Sequence, residues 1–200
     1  MIAAIHETAL HSNTFHSEVL VCVEALCPGC EDFVTSSLYP TFQNAGIPDI
    51  MALTYVPYGN AKIDIDAKTV TCQHGETECD LNTYEQCAID VYPDASDFLP
   101  FTACLAGKKN LSRQPEKALE ECATEVNLDF DTIKECHDDA DRAWDLQVTN
   151  SQLTPADHQY TPWVVIDGEL YDDSIDFQTA LCNAYEKKGG VSDACKSKQM

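Results

Sequence analysis

The chain has 200 residues, enough for one domain with a sizeable core or one domain carrying an insertion. Its 44% apolar content argues against wholesale disorder, while 34 Asp and Glu against 12 Lys and Arg give a formal net charge of −22. Such a surface repels phosphate backbones and anionic lipid, which argues against nucleic-acid and membrane-surface partners. No run of about 20 apolar residues is present to cross a bilayer.

Residues 1–17 read as a flexible leader, polar and carrying His6, His11 and His16 without a clear period. The opening MIAAI is too short for a signal h-region and lacks a basic flank. From Glu18 to Ala25 a β-branched run predicts a buried strand that leads directly into Cys27-Pro28-Gly29-Cys30. Phe33, Val34, Leu38 and Phe42 then recur at helical spacing, with Gly46 as the stop and Pro40 expected to kink or divide the helix. Asp49 to Pro57 reads as a second buried strand, and strand–helix–strand units cross over right-handed by default.

From about residue 71 to 159 the character changes. Cysteines recur at 72, 79, 87, 104, 122 and 136, and helices are predicted around 81–91, 114–126 and 130–148. Asn110-Leu111-Ser112 is an N-glycosylation acceptor pattern in a polar stretch. Trp163–Ile166 is a strand, Asp167-Gly168 a hairpin turn, and Glu169–Tyr171 a short return strand. A final helix runs from Ser174 to Lys187, with Phe177, Leu181, Ala184 and Tyr185 on one face, Ser174 or Asp173 as its cap, and Gly189-Gly190 as its end. The order of elements resembles an α/β, thioredoxin-like core over 18–195. A disulfide-stapled helical insertion sits in its middle, and 196–200 form a tail.

Eleven cysteines would be an unusual density in a reducing cytosol, and their spread suggests a disulfide framework of the secretory pathway. Two of them, Cys27 and Cys30, stand where a strand meets a helix. That position exposes the first sulfur to free helix amides and to the positive end of the dipole, and so favours a thiolate. Pro28 falls where a helix tolerates proline best, and Gly29 removes bulk beside the sulfurs. Cys27 is the candidate nucleophile and Cys30, one turn in, the resolving thiol. At pH 5 a thiol of pKa about 8.5 is only roughly 0.03% thiolate, so a strong depression has most value in an acidic lumen. Two other readings stay open: half of a zinc site completed by Cys72, His74 or Cys79, and a closed structural disulfide.

Thr161-Pro162 immediately precedes a strand far downstream of the CxxC. A cis bond there would turn the Thr161 backbone toward the sulfurs, where it could pair in β fashion with a bound peptide.

EALCPGC at Glu24–Cys30, VPYGNAK at Val56–Lys62, CQHGETEC at Cys72–Cys79 and YTPWVVIDG at Tyr160–Gly168 carry a family likeness. So do the late Cys182 and Cys195, and Cys87, Cys104, Cys122 and Cys136. Over roughly residues 19–195 the chain resembles the gamma-interferon-inducible lysosomal thiol reductase family. The resemblance implies a lysosomal or secreted enzyme most active at acidic pH. It would reduce disulfides in unfolded or partly unfolded proteins without a bound cofactor, and small thiols such as cysteine or glutathione would regenerate it. Departures are Cys22-Val23 before the Glu, and HDDADRAWD after Cys136 where glycines are usual. Eight family-like cysteines would make four bridges, with Cys72–Cys79 and Cys182–Cys195 as local closures, which leaves Cys22 over as a buried strand thiol.

His74 is either a group tuning the thiolate or a loop histidine held by its own turn, and His158 invites the same two readings. Glu24 is either an acid assisting proton transfer at Cys30 or a solvated strand-end charge. Asn60, Gln73 and Gly75 read as turn builders. The expectation is a thiol–disulfide oxidoreductase working as a protein-disulfide reductase. An oxidase or isomerase shares the chemistry, and a secreted, disulfide-rich binding module without turnover is the alternative of a different class.

Overall fold

The structure is a computed structural model that describes residues 15–196; most of the expected leader and the last four residues of the tail lie outside the described residues. β1 (Ser17–Val23) begins at Ser17, which is fully buried and pairs with Met51. It lies between β2 (Met51–Pro57), parallel to it, and β5 (Trp163–Ile166), antiparallel to it. The short β6 (Glu169–Leu170) returns along β5, giving the order β2-β1-β5-β6. Alternation along β1 sends Val19, Val21 and Val23 to one covered face and Cys22 to the other, where Val56, Tyr58 and Trp163 meet it. Burial of each valine contributes roughly 1.5–3 kcal/mol.

β1 leads into α1 (Pro28–Phe33), a wide π turn over Val34–Leu38, and α2 (Tyr39–Phe42). Pro40 divides the helix as its missing N–H and bulky ring require. The N–H of Tyr39 bonds five residues back to Val34, and the widened turn makes room for the ring. These helices and α8 (Phe177–Lys187) close the main core around Leu38, Ile47, Phe177 and Leu181.

Between β2 and β5 lies the insertion. It opens with a small hairpin the sequence reading missed, β3 (Lys62–Asp64) and β4 (Thr69–Thr71), and continues as five helices. These are α3 (Glu76–Val91), α4 (Ala95–Ala106), α5 (Pro115–Glu125), α6 (Phe130–Asp138) and α7 (Ala140–Leu153). α4 was not predicted. The segment expected as one helix over 130–148 is two, because Asp139 is extended (φ −76°, ψ 96°) and its carboxylate accepts from the N–H groups of Asp141 and Arg142, capping α7. A second core forms here around Leu81, Phe101, Leu119 and Ile133.

Four disulfides close the fold: Cys72–Cys79, Cys87–Cys136, Cys104–Cys122 and Cys182–Cys195. The cap of α8 is Asp176, not Ser174 or Asp173; its carboxylate accepts from the Thr179 N–H. Gly189, at φ 89°, ends that helix. Among the described residues no helix is long and apolar enough to cross a membrane.

Candidate active site

Cys27 is the extended N-cap residue of α1 and Pro28 its first helical residue, so the turn delivers the sulfur to the free amides. Cys27, Cys30 and Cys22 are the three free cysteines of the described residues. Cys27 keeps 8% of its surface exposed and Cys30 only 2%, so an incoming disulfide reaches Cys27 first. The Cys27 thiol is lowered to about 5, first by a hydrogen bond from the Cys30 thiol, against the cost of burial. The Thr161 hydroxyl and the amides of Cys30 and Gly29 lower it further. The amides of Gly29 and Cys30 are the helix donors expected from the sequence, and the Cys30 thiol and the Thr161 hydroxyl add two donors that the sequence did not reveal. The same hydrogen bond, with burial, pushes Cys30 well above the ordinary thiol range, so the pair is split into an anion and a proton donor.

The Thr161–Pro162 peptide is cis, and Thr161 lies against Cys27 through both its carbonyl, 3.8 Å from Sγ, and its hydroxyl, 3.5 Å from Sγ. Gly29 faces Pro162, but a Cβ there would meet Pro162 Cδ at 3.5 Å and Thr161 O at 3.7 Å, ordinary contacts. A methyl fits, so only a larger side chain would crowd the sulfurs.

Glu24 is buried, not a solvated strand-end charge. Its Oε1 accepts from the Asn60 N–H at 2.9 Å, and its Oε2 accepts from the Thr161 hydroxyl at 3.2 Å and Asn60 Nδ2 at 3.4 Å. Its pKa is raised, chiefly by burial and then by the charge of Glu78. Asn60 is more than a turn builder: it also donates to Gln73 Oε1 at 2.8 Å and to Thr161 Oγ1 at 3.3 Å, and its Oδ1 faces His158 Nε2 at 3.2 Å. Gly59 before it sits at φ 53°, and a Cβ there would fall 2.3 Å from Glu24 Cγ, so only glycine lets the acid lie against this loop.

His74 belongs to the loop stapled by Cys72–Cys79. Its backbone N–H donates to Glu78 Oε1 at 2.9 Å and its Nδ1 pairs with Glu78 Oε2 at 2.5 Å. Burial works against its charge, but Glu78, and then Glu24 and Cys27, outweigh it and raise its pKa. His74 is thus held by its turn and also turned toward the redox pair. Glu78, a missed member of this cluster, is fully buried at the start of α3. Ligand atoms of Glu24, His74 and Glu78 lie within 4.8 Å of one another, but protein donors already occupy both carboxylates. The zinc site considered from sequence loses two of its partners, since Cys72 and Cys79 are bonded to each other. Spacing gave no signal for Glu78, nor for the contacts that Asn60 and His158 make, although Asn60 and Glu78 fall inside the stretches that carried the family likeness.

Cys22 stands apart. It is sealed in β1, and burial pushes its thiol up to about 12 despite a hydrogen bond with Thr154.

The fold is similar to that of DsbA from Mycobacterium tuberculosis, with a TM-score of 0.62 at 20% identity over 90% of this chain and 86% of that one. It is equally similar to BdbD from Bacillus subtilis, with a TM-score of 0.62 at 20% identity over 86% of each chain. These neighbours show the thioredoxin-like fold. Residues 18–126 match the family model described as gamma interferon inducible lysosomal thiol reductase. The chain is 34% identical over 180 residues to the gamma-interferon-responsive lysosomal thiol protein of Arabidopsis thaliana, covering 87% of this chain and 73% of that protein. It is 33% identical over 168 residues to the gamma-interferon-inducible lysosomal thiol reductase of Mus musculus, covering 82% and 65%. With a thioredoxin-like fold and a thiol pair split into a lowered and a raised member, the chain belongs to the gamma interferon inducible lysosomal thiol reductase family of thiol–disulfide oxidoreductases.

Proposed function

We propose that the protein reduces disulfides in unfolded or partly unfolded proteins, with Cys27 as nucleophile and Cys30 as resolving thiol. The observation that carries this reading is the split pair: a depressed thiol that keeps a small exposed edge beside a raised, more deeply buried one. Cys27 thiolate attacks a substrate disulfide, forming a Cys27–substrate bond and releasing one substrate thiolate. Cys30 then gives up its proton, attacks Cys27 and releases the second substrate thiolate, which leaves a Cys27–Cys30 disulfide. Two electrons have passed to the substrate. Two molecules of a small thiol such as cysteine or glutathione return them and leave as the small disulfide, so no bound cofactor enters the scheme.

Pro28 and Gly29 shape the rim, and the Thr161 carbonyl, which faces Cys27 Sγ at 3.8 Å beside cis-Pro162, is the group with which an extended peptide would pair. Glu24, raised by burial, is a proton donor and acceptor beside the pair, and His74 adds positive charge as the pH falls. A thiol lowered to about 5 stays reactive in an acidic lumen, which supports work in a lysosome or an acidic extracellular space. Asn110, exposed at φ 64° outside the helical core, suits the glycosylation expected of a secretory protein.

The test is reduction of a disulfide-bonded protein at pH 5 and pH 7. Wild type is expected to work at both and Cys27→Ser at neither. Cys30→Ser is expected to accumulate a mixed disulfide. Activity that survives Cys27→Ser refutes the assignment.

A further inference from the structure

The Thr161 hydroxyl has one proton; Cys30 also lies in its reach but is held as the neutral thiol, which leaves two acceptors that carry charge. Cys27 Sγ lies 3.5 Å from its oxygen and Glu24 Oε2 lies 3.2 Å from it. Asn60 Nδ2 takes up accepting capacity on the same oxygen at 3.3 Å, and the Asn60 backbone N–H pins the other oxygen of Glu24 at 2.9 Å. Gly59 permits this approach, since a Cβ there would collide with Glu24 Cγ and lie 2.9 Å from Thr161 Cγ2. The acid therefore sits one hydroxyl away from the nucleophile, at a fixed distance set by residues 59 and 60.

Resting on the assignment of Cys27 as nucleophile, we propose that the Thr161 hydroxyl is a two-position donor that couples the ionisation of Glu24 to the charge on Cys27, with Asn60 as the positioning residue that keeps the two acceptors in reach. When Glu24 is neutral, its own O–H donates to Thr161 Oγ1, and the Thr161 proton is given to the Cys27 thiolate. When Glu24 is ionised, its carboxylate competes for that proton and the thiolate loses a donor. Oxidation of Cys27 removes the sulfur's charge, and the hydroxyl then serves Glu24 alone. No proton crosses to sulfur in this scheme; one hydrogen bond changes acceptor. The arrangement favours the thiolate when Glu24 is protonated, so it supports Cys27 on the acid side of the Glu24 titration.

Other titratable groups face Cys27, and the test must set them aside. Cys30 and Glu31 belong to α1, His74 and Glu78 to the stapled turn and the start of α3, and His158 reaches the site through Asn60. A direct effect of the Glu24 charge on Cys27 through space would not need the hydroxyl, and this separates the two explanations.

The experiment follows the rate of alkylation of reduced Cys27 by iodoacetamide across pH 3–9, located by mass spectrometry. It uses wild type, Thr161→Val, Thr161→Ser, Glu24→Gln and the Thr161→Val/Glu24→Gln double variant. Valine keeps the shape and removes the donor, and is expected to raise the Cys27 midpoint by about one pH unit. Serine is expected to restore it, which a merely structural role of the threonine would not require. Glu24→Gln is expected to change the profile more in the Thr161 background than in the Thr161→Val background, where only the direct charge effect between Glu24 and Cys27 remains. Equal effects of Glu24→Gln in both backgrounds, or a Thr161→Val profile identical to wild type, overturn the proposal. A second readout is the Glu24 carboxyl titration by carbon NMR: its midpoint is expected to differ between oxidised and reduced wild type and to lose most of that difference in Thr161→Val. If Cys27 is alkylated in no variant, the assignment of the nucleophile fails instead, and the two failures remain distinct.

Discussion

Lowering the pH from 7 to 5 should make the Cys27–Cys30 pair a better electron donor. The Cys27 thiol is lowered from 9.0 to about 5, while Cys30 is raised and does not titrate in this window. A depressed value stabilises the reduced, folded protein fully above the unfolded thiol's value, and the gain is lost as the pH falls through the folded value. At pH 7 the reduced form is favoured about 100-fold over one with an ordinary thiol, or about 2.7 kcal/mol; at pH 5 the factor is only about 2, or about 0.4 kcal/mol. The difference, about 2.3 kcal/mol, corresponds to about 50 mV for a two-electron couple. The assay equilibrates the protein with a linear dithiol peptide whose thiols titrate near 9, quenches with acid and measures both redox ratios. The equilibrium constant for reduction of the peptide should rise about 50-fold from pH 7 to pH 5. Glu24→Gln separates the contribution of the acid, whose pKa is raised, chiefly by burial. An equilibrium constant that does not change between the two pH values would refute the reasoning.

Other perturbations test the scaffold around the pair. Gly59→Ala forces an L residue to φ 53° and drives a methyl into Glu24. The left-handed backbone alone costs roughly 1–2 kcal/mol, so thermal unfolding should fall by several degrees and the Cys27 midpoint should rise, as seen by calorimetry and alkylation. Removing Cys87–Cys136 with paired alanines opens a link of 49 residues, and denaturant unfolding should show a loss of about 4 kcal/mol. Loss below about 1 kcal/mol would contradict the view that this bridge staples α3 to α6. Cys22 should resist alkylation in the folded protein up to pH 9, and Cys22→Ala should retain reductase activity, because its thiol is sealed and pushed up to about 12.

The redox pair was legible because a β-branched run, CPGC and a helical period follow one another without a gap, and each predicts its neighbour's geometry. The late hairpin was legible for a similar local reason: Asp167 and Gly168 both take positive φ, as their residue types suggest. α4 was not legible. It carries Pro100 inside, and it is buried on several sides, with Phe98, Leu99 and Ala103 in one core and Phe101 and Leu105 in the other, so no apolar stripe marks it. β3 and β4, three residues each, are too short to show a period. The network behind the sulfurs was hidden for a different reason. Asn60 meets residues 36, 98 and 101 positions away, and only the folded chain brings Glu24, His158 and Thr161 together around it.

The central claim is that Cys27 is held as an anion by the donors around it. The most direct test is the pH dependence of alkylation of the reduced protein, with the modified residue identified by mass spectrometry. The account predicts a single fast-reacting site, Cys27, with a midpoint near 5. A midpoint near 9, or faster labelling at Cys30 or Cys22, would contradict it.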